Sequence, residues 1–177
     1  MFLYAAAGML IILSSCGGGE KKSIKSEVNN EPKINQASDG TISLNVEGAD
    51  CYSDMNDPSG NTAEWRVRVS KSGRYNVWIS SATKDTTDLR YKNNVLVSVQ
   101  DNRIEAKPGC DKIIQDAKDV DYPFFRADSF LGSMYIQDTG LFNVQVISEK
   151  ILPKDYKLES ETEIAKLLSV SFTPVTR

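Results

Sequence analysis

The stretch Glu64-Trp65-Arg66-Val67-Arg68-Val69, followed by Ser72-Gly73 and then Tyr75-Asn76-Val77-Trp78-Ile79, decides the fold. Both runs alternate apolar and polar residues with a period of two, and a turn pair separates them. Successive side chains of a strand point to opposite faces, so the pattern describes a hairpin of two half-buried strands. The same alternation recurs in residues 42–46, 95–99, 142–146 and 168–172, with shorter runs at 103–106 and 134–136. Turn residues such as Asp138-Thr139-Gly140 lie between them. About six to nine such strands predict an all-β chain folded as an antiparallel β-sandwich over residues 41–177. Only residues 111–118 and 161–165 suggest short helices.

Composition narrows the chemistry. With 177 residues, about one domain is expected. Lys and Arg number 21 against 24 Asp and Glu, a net charge of -3. A nucleic-acid partner, which needs a basic field, is therefore not expected. The chain has no His. That removes Ser-His-Asp and Cys-His nucleophiles and every zinc site that includes His. Three Cys cannot form a four-Cys zinc site. Glycosidases use paired carboxylates. Asp and Glu are plentiful here, but none sits in a recognisable catalytic motif, and no enzyme activity is expected.

Residues 1–13 are apolar apart from Tyr4 and carry no charge. A bilayer-spanning helix takes about 20 residues, so the run matches the core of an export signal instead. Leu13-Ser14-Ser15-Cys16 resembles the lipobox of bacterial lipoproteins, in which the cysteine is acylated and becomes the new N-terminus. The resemblance implies a signal peptide at 1–15 and a lipid anchor on Cys16, with the membrane as a partner. Residues 16–40, beginning Gly17-Gly18-Gly19, are polar and nearly free of large apolar side chains, which describes a flexible, disordered tether. It is similar to the glycine-led tethers of Bacteroidetes lipoproteins. The implied location is the cell envelope, at the outer membrane or cell surface.

The 64–77 hairpin resembles that of galactose-binding-like β-sandwiches. These jelly rolls include carbohydrate-binding modules of families 6 and 35 and domains appended to glycosidases and sulfatases. Leu131-Gly132 with Gly140-Leu141-Phe142-Asn143-Val144 is similar to a second hairpin of that family, and residues 165–170 to its closing strand. The resemblance spans about residues 42–175 and implies carbohydrate as the ligand class. Glu47-Gly48-Ala49-Asp50 resembles the acidic start of family 6 and 35 modules, where the first carboxylate helps hold a structural calcium. Glu47, Asp50 and the later Asp155 are the implied metal ligands, with a solvated turn as the plain alternative. In these modules the ligand usually lies on loops at one sandwich end. That points to Arg90 and Tyr91 in the 83–94 loop and to Tyr122 and Arg126 in the 119–128 loop, unless their aromatics simply anchor the loops.

The residues themselves single out Trp78. If Tyr75, Val77 and Ile79 face the core, Asn76 and Trp78 face outward, and Arg66 and Arg68 do so on their own strand. A Trp on a polar face offers a flat ring for the apolar face of a sugar, while Asn and Arg bind hydroxyls. The alternative is that a loop or the tether covers it. Trp65 is placed in the core. Cys51 and Cys110 remain after Cys16. Exported chains meet an oxidising compartment, so these two are a candidate disulfide worth about 4 kcal/mol, with two buried thiols as the alternative. The expected function is a lipid-anchored module that binds carbohydrate without catalysis. The rivals are an envelope-protein interaction module and, behind it, a small glycan-active enzyme.

Overall fold

The computed structural model describes residues 34–161 and 163–176. The signal peptide, Cys16 and residues 16–33 of the expected tether lie outside the described residues. Residues 34–40, expected in that tether, belong to the folded unit. β1 (Ile34–Asn35) pairs in parallel with β4 (Thr62–Val69). Gln36 then holds it there: its Oε1 accepts from the backbone amides of Ser70 and Lys71, and its Nε2 donates to the Tyr75 hydroxyl at 2.7 Å.

Among the described residues the strands form two sheets and no α-helix. In the first, β1, β4, β10 (Gly140–Ile147), β6 (Val95–Val99) and β7 (Asn102–Ala106) lie in that order, and β3 (Asp50–Tyr52) also pairs with β4. The second runs β2 (Ile42–Asn45), β11 (Lys166–Pro174), β5 (Gly73–Thr83), β9 (Phe125–Ile136) and β8 (Lys112–Ile114). Every pairing except β1 with β4 is antiparallel. β4 and β5, joined at Ser72-Gly73, lie in different sheets and do not pair, so the expected hairpin is instead a turn that carries the chain from one layer to the other.

The core fills the space between the sheets. Trp65, Val67 and Val69 enter it from β4, Tyr75, Val77 and Ile79 from β5, and Leu44, Val97, Val146 and Phe172 from their neighbours. Trp65 is buried and donates its indole Nε1–H to the Asn45 carbonyl at 2.8 Å, so a large polar-tipped ring enters the core with its donor satisfied. Asn61 closes one end: its Nδ2 donates to the Ile151 carbonyl at 2.8 Å and its Oδ1 accepts from the Asp54 amide at 2.7 Å.

Two expected helices are absent from their places. Residues 112–114 form β8, a sheet edge, because Lys112-Ile113-Ile114 puts one β-branched side chain against the core and pairs with β9. Around Ala165, which is buried, the described residues of 161–165 are loop leading into β11. Runs this short cannot offset helix nucleation without an apolar face to pack.

Candidate functional site

Alternation gives each sheet one solvent face, and the two faces differ. On the first sheet Arg66 lies opposite Asn143, Glu64 opposite Gln145, and Ser98 opposite Arg103. On the second, Trp78 lies between Ser171 of β11 and Phe130 of β9. The ring centroids of Trp78 and Phe130 are 5.2 Å apart and inclined by 49°. Trp78 is half-buried and Phe130 is 43% exposed. The next row along the strands carries Thr173, Asn76 and Ser133, where the Ser133 hydroxyl donates to Asn76 Oδ1 at 2.6 Å. The row on the other side carries Asn45, Ser169, Ser80 and Asp128.

A β-bulge aims Phe130 outward. The register of β9 against β5 shifts between Val77 and Trp78: Gly132 pairs with Val77, yet Phe130 pairs with Trp78. Leu131 is the extra residue and turns into the core. Gly132 has φ +141°, a conformation that favours glycine. Upstream of the bulge Arg126, Asp128 and Phe130 face out; downstream Ser133 and Tyr135 do, so both halves of β9 serve one face.

Beyond Trp78 the face is stiffened by ion pairing. Asp128 accepts from the Ser80 hydroxyl at 2.8 Å and from Arg126 Nε at 2.8 Å, and Arg126 Nη1 reaches Asp119 at 3.4 Å. The partnership with Asp128 holds the Arg126 guanidinium above its ordinary pKa. This row leads to two adjoining cavities at the sandwich end, of about 470 and 490 Å³. Both are bordered by Glu47, Asp119, Lys154, Lys166 and Leu168. The 153–160 loop that walls them is held by lysines: Lys154 Nζ donates to the Ala49 carbonyl at 2.7 Å, Lys166 Nζ to that of Tyr156 at 3.4 Å, and Lys84 Nζ to that of Ser160. Tyr122, 89% exposed, borders the larger cavity.

The residues expected at one site fall in four places. Asn76 and Trp78 share the aromatic face, whereas Arg66 and Arg68 stand on the opposite sheet and cannot touch the same small ligand. Tyr122 borders an end cavity, and Arg126 is linked to that end through its pair with Asp119. Arg90 and Tyr91 serve their own loop. Tyr91 is 3% exposed, its hydroxyl lies 2.9 Å from that of Ser81, and burial pushes its pKa well above the ordinary phenol value. Tyr91 is therefore an anchor and not a ligand contact. Arg90 pairs with Glu163 at 2.9 Å and with Asp85 at 3.6 Å. Asp85 itself accepts from the amides of Thr87 and Asp88 and from the Thr87 hydroxyl, which lower its pKa to about 2.

Glu47, Asp50 and Asp155 do not form a metal site. Among the described residues no group of three or more His, Cys, Asp or Glu is placed to hold an ion. Glu47 borders the end cavities and Asp50 lies on β3. The expected disulfide is likewise absent, and both thiols are free. Cys51 Sγ turns to the carbonyls of Val46 and Ala49, at 3.6 and 3.9 Å. Cys110 precedes β8 of the other sheet, beside Leu89 and among the carboxylates of Asp85, Asp88 and Asp111. Burial raises both thiol pKa values, the inert condition for a cysteine. Phe130 is the residue of the aromatic face that sequence reasoning missed. Its only signal is Leu131-Gly132, where the alternation of β9 changes phase.

No protein-family model matches the chain, and no curated protein matches it. Solved structures do. An α-L-fucosidase from Vibrio sp. strain EJY3 superposes with a TM-score of 0.64 at 19% identity, over 82% of this chain and 24% of that one. A Podospora anserina GH26-CBM35 β-(1,4)-mannanase matches with a TM-score of 0.46 at 10% identity, over 78% of this chain and 28% of that one. The insecticidal crystal protein Cry2Aa matches at 0.46 and 13%, over 76% and 21%. The chain thus spans about a quarter of the length of these proteins. The likeness to the fucosidase shows the fold, a β-sandwich that also occurs within a much larger glycosidase chain.

Proposed function

We propose that this chain is a lipid-anchored, non-catalytic carbohydrate-binding module of the cell envelope. The observation that carries the reading is the Trp78–Phe130 pair, set on a solvent face among Ser171, Asn76 and Ser133. Core packing cannot account for two large rings on the outside of a sheet. Two adjacent aromatic rings surrounded by hydroxyls and an amide suit the alternating apolar and hydroxyl surfaces of a pyranose. The bulge supports the reading, because it brings Phe130 beside Trp78 in a register that regular pairing would not give. The occurrence of the same fold within a fucosidase is consistent with a role in glycan handling. A binding role without hydrolysis agrees with a chain that has no His and no recognisable carboxylate motif. The lipobox-like Leu13-Ser14-Ser15-Cys16 supports the anchor.

The test is a broad glycan array probed with the full chain and with Trp78→Ala. The reading expects a defined set of hits that Trp78→Ala abolishes while its melting temperature stays within a few degrees of the parent. A blank array, or hits indifferent to Trp78, would contradict it. For the anchor, labelled palmitate is expected to enter the parent and not Cys16→Ser.

A further inference from the structure

We infer that the aromatic face takes an internal stretch of a neutral, linear polysaccharide and not a terminal sugar; the inference rests on the carbohydrate-binding reading above and names its ligand class. The face is a strip. From Arg74 to Ala82, β5 runs nine residues, about 26 Å at strand rise. β9 lies beside it over that whole length, with Tyr135 opposite Arg74 and Arg126 opposite Ala82. Trp78 and Phe130 lie midway. Tyr135 is 54% exposed and on the same face, four β5 residues from the Trp78 row, or about 13 Å. A single pyranose is far shorter than that interval, so one ring cannot touch both aromatic positions. A chain lying along the strands can, with its intervening ring over the Asn76–Ser133 row.

The open part of the strip is the half on the Tyr135 side, since beyond Trp78 the side chains of Ser80 and Ala82 are buried and Ala82 borders an end cavity. Neither end cavity includes Trp78 or Phe130 in its walls, so the aromatic pair belongs to the open part of the strip. The groups around the pair are uncharged: Ser43, Ser171, Asn76, Ser133 and Thr173. The nearby carboxylates are already engaged. Asp128 is paired with Arg126, and Asp111 Oδ2 accepts from the Phe130 amide at 2.7 Å. A hydroxyl-rich neutral chain finds hydrogen-bonding partners in these rows, while the cations of the face, Arg74 opposite Tyr135 and Lys112 opposite Asp128, stand outside the row of the pair itself.

The experiment is calorimetric titration of the full chain with gluco-, xylo- and manno-oligosaccharides of two and six residues, oligogalacturonate serving as the charged control. The inference expects at least one neutral hexamer to bind at least tenfold more tightly than its dimer, with little dependence on salt. Tyr135→Ala should weaken the hexamer roughly tenfold, equivalent to about 1.4 kcal/mol, and leave the dimer unchanged. Trp78→Ala should abolish both. Equal affinity for dimer and hexamer, a Tyr135→Ala that alters neither, or preference for oligogalacturonate would overturn the extended neutral chain while leaving carbohydrate binding in place. Trp78-dependent hits confined to terminal sugars on a glycan array would do the same. No binding to any glycan would overturn both readings.

Discussion

The two solvent faces of this sandwich follow the same alternation and cover the same core, yet they are made of different side chains. The face of the first sheet is mainly charged and amide-bearing, with Glu64, Arg66, Arg68, Asn143, Gln145 and Arg103, and its one large exposed ring among the described residues, Tyr52, sits alone on β3 at the edge. The face of the second carries Trp78, Phe130 and Tyr135 on a background of Ser, Thr and Asn. The contrast teaches that alternation identifies which residues leave the core, whereas only their chemistry distinguishes a wet surface from a binding one. A large ring that leaves the core at a site built by a bulge asks for an occupant.

The comparison can be broken at several points. The largest effect expected is on stability. Trp65→Ala removes a buried ring and its hydrogen bond to the Asn45 carbonyl, and should cost about 3–5 kcal/mol, lowering the melting temperature by roughly 10 °C. Trp78→Ala, on the outer face of the other sheet, should cost less than about 1 kcal/mol; thermal unfolding of both variants checks the difference. A similar loss in both would place Trp78 in a packed layer. Next comes the bulge. Gly132→Val forces a β-branched residue to φ +141°, which should cost about 1–3 kcal/mol and weaken glycan binding by displacing Phe130, as calorimetry and titration would report together. Removing charge from the first sheet with the double substitution Arg66→Gln and Arg68→Gln should leave glycan affinity within about twofold. A large loss would move the site to that sheet.

The smallest effect concerns acid. Asp85 titrates at about 2 in the folded chain, against 3.8 for the ordinary carboxyl, because Thr87 and Asp88 donate to its anion. Its contribution to the 83–94 loop is complete above the ordinary carboxyl value and falls away as the pH drops toward 2. Asp85→Asn should flatten the stability profile across that window, lowering stability slightly near neutrality and converging with the parent toward pH 2, as denaturation monitored against pH would show.

The strands of this fold were legible because their signal is local. Trp65-Arg66-Val67 and Tyr75-Asn76-Val77 declare their inner and outer faces within a few residues, and Tyr75, Val77 and Trp65 are buried as that pattern requires. The site was legible only in part. Trp78 stood out as an aromatic residue in an outward position. Phe130 did not, because the phase of β9 changes at Leu131-Gly132 and no period describes both halves. Tyr91 misled because an aromatic ring in a polar loop looks alike as anchor or as contact. What decides it is a hydroxyl contact to Ser81 and the seating of its loop on Glu149, whose carboxylate accepts from the Lys92 amide and from Asn93 Nδ2. Those partners come from β5 and from the turn that follows β10. The sheet assignment of Arg66 and Trp78 was equally nonlocal, since the residues of a turn that crosses between layers look like those of a hairpin turn within one sheet.

The most direct measurement is glycan affinity and melting temperature, determined side by side for the full chain, Trp78→Ala and the Arg66→Gln/Arg68→Gln double variant. The account predicts that Trp78→Ala loses binding with its melting temperature nearly unchanged while the double variant binds as the parent does. Loss of melting temperature in Trp78→Ala with binding retained, or binding lost only when the two arginines are changed, would contradict it.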